Sequence, residues 1–321
     1  MIWRSNNPWE REDLQQLVSI GSHKLFVSAS GPARKVDEPV VLFFTGGAAP
    51  SISAHWRVYF HDRSGYDRSE RGPHGVLTGQ QSAQELEELL ARISVGPPYM
   101  MIGHFFGGIA ARAFLERQQP GVVKGVVLAD TATELMYELF QPQIPSPALV
   151  AIAEGVDWDA LTHLRRDMKL TEEEYQIVLD AAARTAPAAE EEDCRATATV
   201  LAQCNQFEKH ILGEWPVLVI RCNMAHDFRM LYDAGVQKAQ GTPEQREEAM
   251  SFIRKMETYD DQVRAAQLRL SCCHKYAYFA KVGHDDILRR PEVYINKIRW
   301  VMALAASHAG DVRQSSIQGE H

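Results

Sequence analysis

The stretch that most constrains this chain is Gly103-His104-Phe105-Phe106-Gly107-Gly108. An apolar run, Tyr99 to Ile102, precedes it, and a run of helical character, Ile109 to Leu115, follows. A strand that passes into a helix through a glycine-flanked turn fits the carboxyl edge of a parallel sheet, with the residue at its tip held clear of the backbone. That tip residue is Phe105. A phenyl ring has no electron pair to offer a carbonyl, so the stretch specifies a scaffold more clearly than a reaction.

Other segments fit the same sheet. Val40 to Phe44 is a continuous apolar run of the kind buried on both faces, and it ends at Thr45-Gly46-Gly47. Trp56 to Phe60 comes next and closes on His61-Asp62-Arg63-Ser64-Gly65-Tyr66. About a dozen residues separate these two strands, near the minimum for a parallel crossover, so a full helix hardly fits between them. Val122 to Ala129 ends in Asp130-Thr131, Pro216 to Ile220 resumes the sheet, and Tyr276 to Val282 reads as the last strand. Upstream, Leu17 to Ile20 and Lys24 to Ser28 flank Gly21-Ser22 and predict an antiparallel hairpin at a sheet edge. Helical patterns lie between the strands. Ser82 to Glu85 has capping-box form ahead of Leu86, Leu89, Leu90 and Ile93, Gly241 to Glu244 opens another helix, and Pro291 begins an amphipathic closing helix. The alternation predicts an α/β fold with a mostly parallel sheet flanked by helices.

From Glu134 to Gly213 the strand signal vanishes. One crossover helix needs only about 15 residues, so this stretch reads as an inserted helical lid. The expected organisation is core over 1–133, lid over 134–213, core again over 214–306, and a polar tail over 307–321. A formal charge of −8 argues against nucleic acid as a partner, and no apolar run approaches the roughly 18 residues that span a bilayer. Five cysteines with neither disulfide-framework nor zinc spacing, and no visible signal peptide, predict a cytoplasmic protein with reduced thiols and no metal or cofactor.

With Gly103-His104-x-Phe106-Gly107-Gly108, Asp62-Arg63-Ser64-Gly65-Tyr66 and Gly283-His284 in this order, the chain resembles the α/β-hydrolase superfamily from Leu42 to Leu304. The resemblance implies an eight-stranded sheet with a helical lid. It also implies descent from enzymes that mainly hydrolyse esters, thioesters, amides, lactones and epoxides, some relatives being lyases, cyclases or receptors. It makes Phe105 the occupant of the nucleophile position on a nucleophile elbow, and His284 the general base. Asp227 is the expected acid partner of His284, with Asp130 as the rival and Asp260 and Asp261 less suited, since they lie in a charged helical stretch. The implied oxyanion hole uses the backbone N–H of Phe106 and one from Gly46 or Gly47. Three departures stand out: Phe105 replaces serine, Asp67 stands where a glycine is usual, and the segment between Gly47 and Trp56 is short.

Blander roles compete for several of these residues. Asp227 would otherwise cap a helix beginning at Phe228, His104 reads as packing beside the elbow, and Asp62 and Arg63 read as loop braces. Ser64 as a displaced nucleophile is weaker than Ser64 as a turn residue, and Cys222, Cys272 and Cys273 read as inert thiols. With Phe105 at the elbow, acyl-enzyme hydrolysis is disfavoured. The expected function is His284-based acid/base chemistry on a small apolar substrate. The alternatives are a ligand-binding protein without turnover and a serine esterase whose nucleophile has been changed.

Overall fold

The computed structural model describes the backbone of residues 6–44, 50–73, 75–140 and 143–318, with side chains for all of these except 50, 51 and 308–318. Eight strands form one sheet in the order β1-β2-β4-β3-β5-β6-β7-β8. They are β1 (Leu14–Ser19), β2 (Lys24–Ser30), β3 (Val40–Phe44), β4 (Val58–His61), β5 (Tyr99–His104), β6 (Val123–Ala129), β7 (Val217–Cys222) and β8 (His274–Phe279). The β1–β2 hairpin is antiparallel, β2 pairs antiparallel with β4, and every pairing from β4 to β8 is parallel.

Strand periodicity splits the core into two layers. Val40, Leu42 and Phe44 of β3 enter one buried cluster, while Val41 and Phe43 enter the other. Side chains alternate faces along a strand, so a run that is apolar at every position can be stable only with helices on both sides. Helices α1 (Pro50–Ser53), α2 (Gly79–Arg92) and α3 (Gly107–Glu116) belong to the first half of the sheet. The first face is covered by α2 and α3, through residues such as Leu86, Leu89, Ile109 and Phe114. Leu42 is 2 % exposed between layers, and truncating such a residue to alanine costs about 2–5 kcal/mol.

Between β6 and β7 the described residues are helical. They form α4 (Glu134–Leu139), α5 (Pro147–Ile152), α6 (Trp158–Thr162), α7 (Leu164–Asp167), α8 (Glu172–Glu191), α9 (Cys194–Cys204) and α10 (Gln206–Lys209). Between β7 and β8 lie α11 (Met224–Gln237) and α12 (Pro243–Leu268), and after β8 come α13 (Asp286–Arg289) and α14 (Pro291–Gln318). The second face is covered by α14, through Ile295, Ile298 and Val301.

Among its described residues the short crossover between β3 and β4 holds one helical turn, α1, as its length requires. Several local readings change, among them the expected strands Leu17–Ile20 and Trp56–Phe60, which run over Leu14–Ser19 and Val58–His61. The capping box of α2 is Thr78 with Gln81, one turn before the expected Ser82–Glu85, because Thr78-x-x-Gln81 has the same form and already satisfies the first amides. Ser82 and Glu85 are therefore interior residues of the helix. The helix after β7 starts at Met224 with Asn223 as its cap, so Asp227 lies in the first turn and caps nothing. The last strand runs from His274 to Phe279, two residues earlier than its apolar letters indicate, because at the sheet edge its pairing with β7 sets its limits.

Candidate active site

The turn between β5 and α3 holds Phe105 at φ +50°, in the left-handed region that a bulky residue rarely adopts. Its carbonyl accepts the N–H groups of Ala132 (2.9 Å) and Gly108 (3.3 Å), which pins the turn against the end of β6. Gly107 is obligatory here, since a Cβ on it would stand 1.6 Å from the Phe44 carbonyl oxygen. The phenyl ring is 52 % exposed. Next to it, the N–H of Phe106 donates no hydrogen bond among the described residues. Gly46 and Gly47, the other expected oxyanion donors, lie outside the described residues.

His284 follows β8 and stands beside this turn. Its Nδ1 is 2.6 Å from Asp130 Oδ2, and its Nε2 has no hydrogen-bond partner among the described residues. The expected partner, Asp227, does something else. Its Oδ2 accepts the backbone N–H of His284 at 2.7 Å, and its carboxylate fills the space that a Cβ on Gly283 would need. Asp227 thus holds the loop that carries the histidine, and Asp130 holds the ring. The geometry is decided at the tip of β6, where Asp130 at φ +49° directs its carboxylate across the end of β7. Its Oδ1 accepts the Cys222 N–H at 3.1 Å and lies 3.5 Å from the buried Arg221 guanidinium. Asp260 sits behind, bonded to Arg221 at 2.7 Å, and Asp261 pairs with Arg264 at 3.1 Å.

The electrostatics follow from this packing. Burial disfavours the Asp130 carboxylate, but the Arg221 charge and the His284 contact outweigh it and hold its pKa at about 2. Burial likewise penalises the His284 imidazolium, yet the hydrogen bond to Asp130 and its charge raise the pKa above the ordinary histidine value. His104 stacks on His284, with ring centroids 4.6 Å apart. Desolvation and the neighbouring His284 charge push the His104 pKa down to about 4, so its ring is neutral at pH 7. The Phe105 ring meets His284 edge-on at 5.1 Å.

A cavity of about 390 Å³ opens above the turn at the carboxyl ends of β3, β4 and β5, where ligands of open α/β sheets bind. Phe43, Phe44, Phe105 and Phe106 line it, with His61, Arg63 and Tyr66 from the segment after β4. A larger hollow of about 700 Å³ lies near Lys35, Trp56 and Arg299, at the amino ends of the strands. It is remote from the His284–Asp130 pair, so we assign the site to the smaller cavity.

The family model for the α/β-hydrolase fold matches residues 39–158. The chain is 31 % identical over 320 residues to a protein of Hormonema carpetanum named probable transporter efuK, covering 92 % of this chain and 44 % of that one. It is also 29 % identical over 326 residues to an AB hydrolase superfamily protein of Gibberella zeae, covering 93 % and 99 %. The chain thus spans less than half the length of the first relative and nearly all of the second. Among solved structures, a serine hydrolase involved in carbazole degradation superposes with a TM-score of 0.52 at 14 % identity, over 91 % of this chain and 99 % of that one. A membrane phospholipase A gives 0.54 at 14 %, over 92 % and 87 %. The chain has the α/β-hydrolase fold.

Within this fold the remaining candidates separate by burial and partner. Ser64 is enclosed: its Oγ donates to Glu85 Oε2 at 2.6 Å and lies 2.6 Å from His23 Nε2, whose Nδ1 is 2.9 Å from Ser22 Oγ. Asp62 pairs with Arg68 at 3.5 Å, and Asp67, at φ +38°, takes the glycine-like turn and pairs with Arg184 at 2.6 Å. Arg63 reaches Glu192 at 2.5 Å. Cys222 is buried, with Sγ 3.3 Å from the Tyr294 hydroxyl, and burial pushes its thiol pKa up. Cys273 is half-buried, and Cys272 is exposed. Glu192, Tyr137 and Cys194 line the cavity and were not expected from the sequence. They come from the helical stretch between β6 and β7, whose pattern reports helix without reporting which residues point inward. Among the described residues no group of three metal-ligating side chains converges, and no helix is long and apolar enough to cross a membrane.

Proposed function

We propose that this protein acts on a small hydrophobic metabolite held in the cavity above Phe105, with His284 as the acid/base group and without a covalent acyl-enzyme. The observation that carries the reading is the 2.6 Å contact between His284 Nδ1 and Asp130, which leaves Nε2 unbonded among the described residues beside a turn that has no nucleophile. A ring oriented through Nδ1 presents Nε2 as a lone pair able to take a proton. In an elimination, Nε2 removes the proton from carbon, the C–H electron pair becomes the new double bond, and the imidazolium returns its proton to the departing oxygen. In a hydrolysis, the same nitrogen takes the proton of an attacking water. Such proton transfer contributes about 10²–10⁴-fold. The helices between β6 and β7 serve in this reading as the lid, and Asp227 and Asp130 serve as positioning groups for loop and ring.

One observation favours a second reading, a ligand-binding protein without turnover. His284 is set off from the cavity, and the rings of His104 and Phe105 stand between them. The test is incubation of the purified protein with an extract of apolar metabolites, followed by mass spectrometry. The acid/base reading expects at least one compound to be consumed by the wild type and left intact by His284→Gln and Asp130→Asn. Equal consumption by wild type and His284→Gln overturns it. Binding without consumption selects the second reading.

A further inference from the structure

The cavity above Phe105 contains charged side chains, yet they cancel in pairs. Arg63 Nη1 lies 2.5 Å from Glu192 Oε1, and the Tyr66 hydroxyl donates to Glu192 Oε2 at 2.5 Å, so both carboxylate oxygens are engaged. The Glu192 side chain is 1 % exposed, and that of Arg63 is 15 %. Asp62, at the rim, pairs with Arg68 at 3.5 Å. Burial pushes the His61 pKa down to about 4, and His104 has the same value, so both imidazoles facing the cavity are neutral at pH 7. Burial raises the Tyr66 and Tyr137 phenols and the Cys194 thiol, which keeps all three protonated.

Arg63 retains donor capacity. Its guanidinium is stacked 4.1 Å from the Tyr66 ring centroid and 5.0 Å from that of Phe106. Among the described residues Nε and Nη2 make no hydrogen bond. A guanidinium whose charge is compensated but whose N–H groups are unspent favours an oxygen acceptor on an uncharged molecule. A second anion would compete with Glu192, and a cation would be desolvated beside Arg63. The phenyl rings of Phe44, Phe105 and Phe106 supply an apolar, aromatic wall.

We propose that the cavity selects an uncharged, ring-bearing ligand with an oxygen acceptor, and that Glu192, reaching in from the end of α8, is the residue that sets this selection by neutralising Arg63. The proposal rests on the cavity being the ligand site, as in the function proposed above, and it names the class of molecule that site takes.

The test is calorimetric titration at pH 7 with naphthol, naphthoate and naphthylmethylammonium, which share a ring system and differ in charge. Wild-type protein is expected to bind naphthol, with the two ions weaker by about tenfold or more. Glu192→Gln frees the Arg63 charge and should improve naphthoate relative to naphthol by about tenfold, whereas Arg63→Met should shift preference toward the ammonium probe. Tyr66→Phe, which removes one hydrogen bond to Glu192 and creates no new charge, leaves that carboxylate less neutralised, should give a smaller shift toward the ammonium probe in the direction of Arg63→Met, and serves if either charge variant fails to fold. Equal affinity for the three probes in the wild type, no binding of naphthol, or an unchanged order in the variants that fold overturns the proposal. Consumption assays with His284→Gln are read separately, so loss of charge selection leaves the acid/base reading standing, and loss of that reading leaves charge selection standing.

Discussion

Two regions of the molecule place a histidine against a carboxylate, and they differ in what the ring has left to give. At the end of β6, His284 spends Nδ1 on Asp130 and leaves Nε2 unbonded among the described residues, beside the turn that floors a cavity of about 390 Å³. Beside the β1–β2 hairpin, His23 spends both ring nitrogens, on Ser22 and Ser64, and the Ser64 hydroxyl is itself bonded to Glu85. His23, Ser64 and Glu85 are 7 %, 6 % and 7 % exposed, and the hollow beside Ser64 and Glu85 measures only about 30 Å³. The second cluster contains serine, histidine and an acid, yet it is a strut. Unspent hydrogen-bonding capacity next to open volume distinguishes a reactive cluster from a bracing one, and residue identity alone does not.

The sharpest way to break this comparison is Phe105→Ser. If the His284–Asp130 side is an intact half of a triad, a serine on the same left-handed turn should become reactive. Labelling by a fluorophosphonate probe and turnover of short acyl esters should then rise by about 10³-fold over the parent protein. An unreactive serine would place His284 Nε2 out of reach of the turn.

Asp130→Ala is next in size. It removes a carboxylate that compensates the buried Arg221, and a broken buried pair costs about 3–5 kcal/mol, to be read from urea denaturation. A loss below about 1 kcal/mol would mean that Asp260 alone neutralises Arg221.

Acidification separates neutral rings from charged ones. His104 and His61 have folded pKa values of about 4, below the ordinary 6.5, so the unfolded chain takes up protons first as pH falls. Their stabilisation is full above pH 6.5 and is lost as pH falls toward 4, by on the order of 3 kcal/mol at each ring. His284 has the opposite sign: its pKa is raised, so its contribution is present below 6.5 and is lost as pH climbs through its folded value. Asp130, held at about 2, keeps its contribution until the pH falls below the ordinary carboxylate value of 3.8. Urea midpoints should therefore drop between pH 6.5 and pH 4.5, and His61→Gln with His104→Gln should flatten that drop. A drop of equal size in the double variant would assign it to carboxylates elsewhere.

The smallest effects compare the two clusters directly. Glu85→Ala leaves His23 and Ser64 short of a buried partner and should cost about 2 kcal/mol, whereas His284→Gln should cost less than about 1 kcal/mol while abolishing any turnover. The reverse order of stabilities would reverse the roles assigned to the two clusters.

The sheet was legible because its strands are written as apolar runs and its turns as glycines. The single-turn crossover was legible because about a dozen residues between two parallel strands admit little more. The partner of His284 was not, since Asp130 and Asp227 both follow a strand and both contact His284, one at the ring and one at the backbone. Letter order cannot say which oxygen meets which nitrogen. A local clue did exist: Arg221 lies on the strand adjacent to Asp130, and a buried arginine there demands a carboxylate nearby. Glu192 lay beyond reach for another reason. It is the residue that caps the end of α8, a charged helix whose one buried residue is Ala188, so no periodic pattern marked its carboxylate as turned inward.

Phe105 keeps the left-handed turn, the glycines and a Phe106 amide unbonded among the described residues around a side chain that uses none of them. Phenylalanine and serine codons can differ by one pyrimidine, so a single-base substitution separates this protein from a chain with a hydroxyl at the tip. As long as the turn's backbone is maintained, a hydroxyl at its tip is one mutational step away.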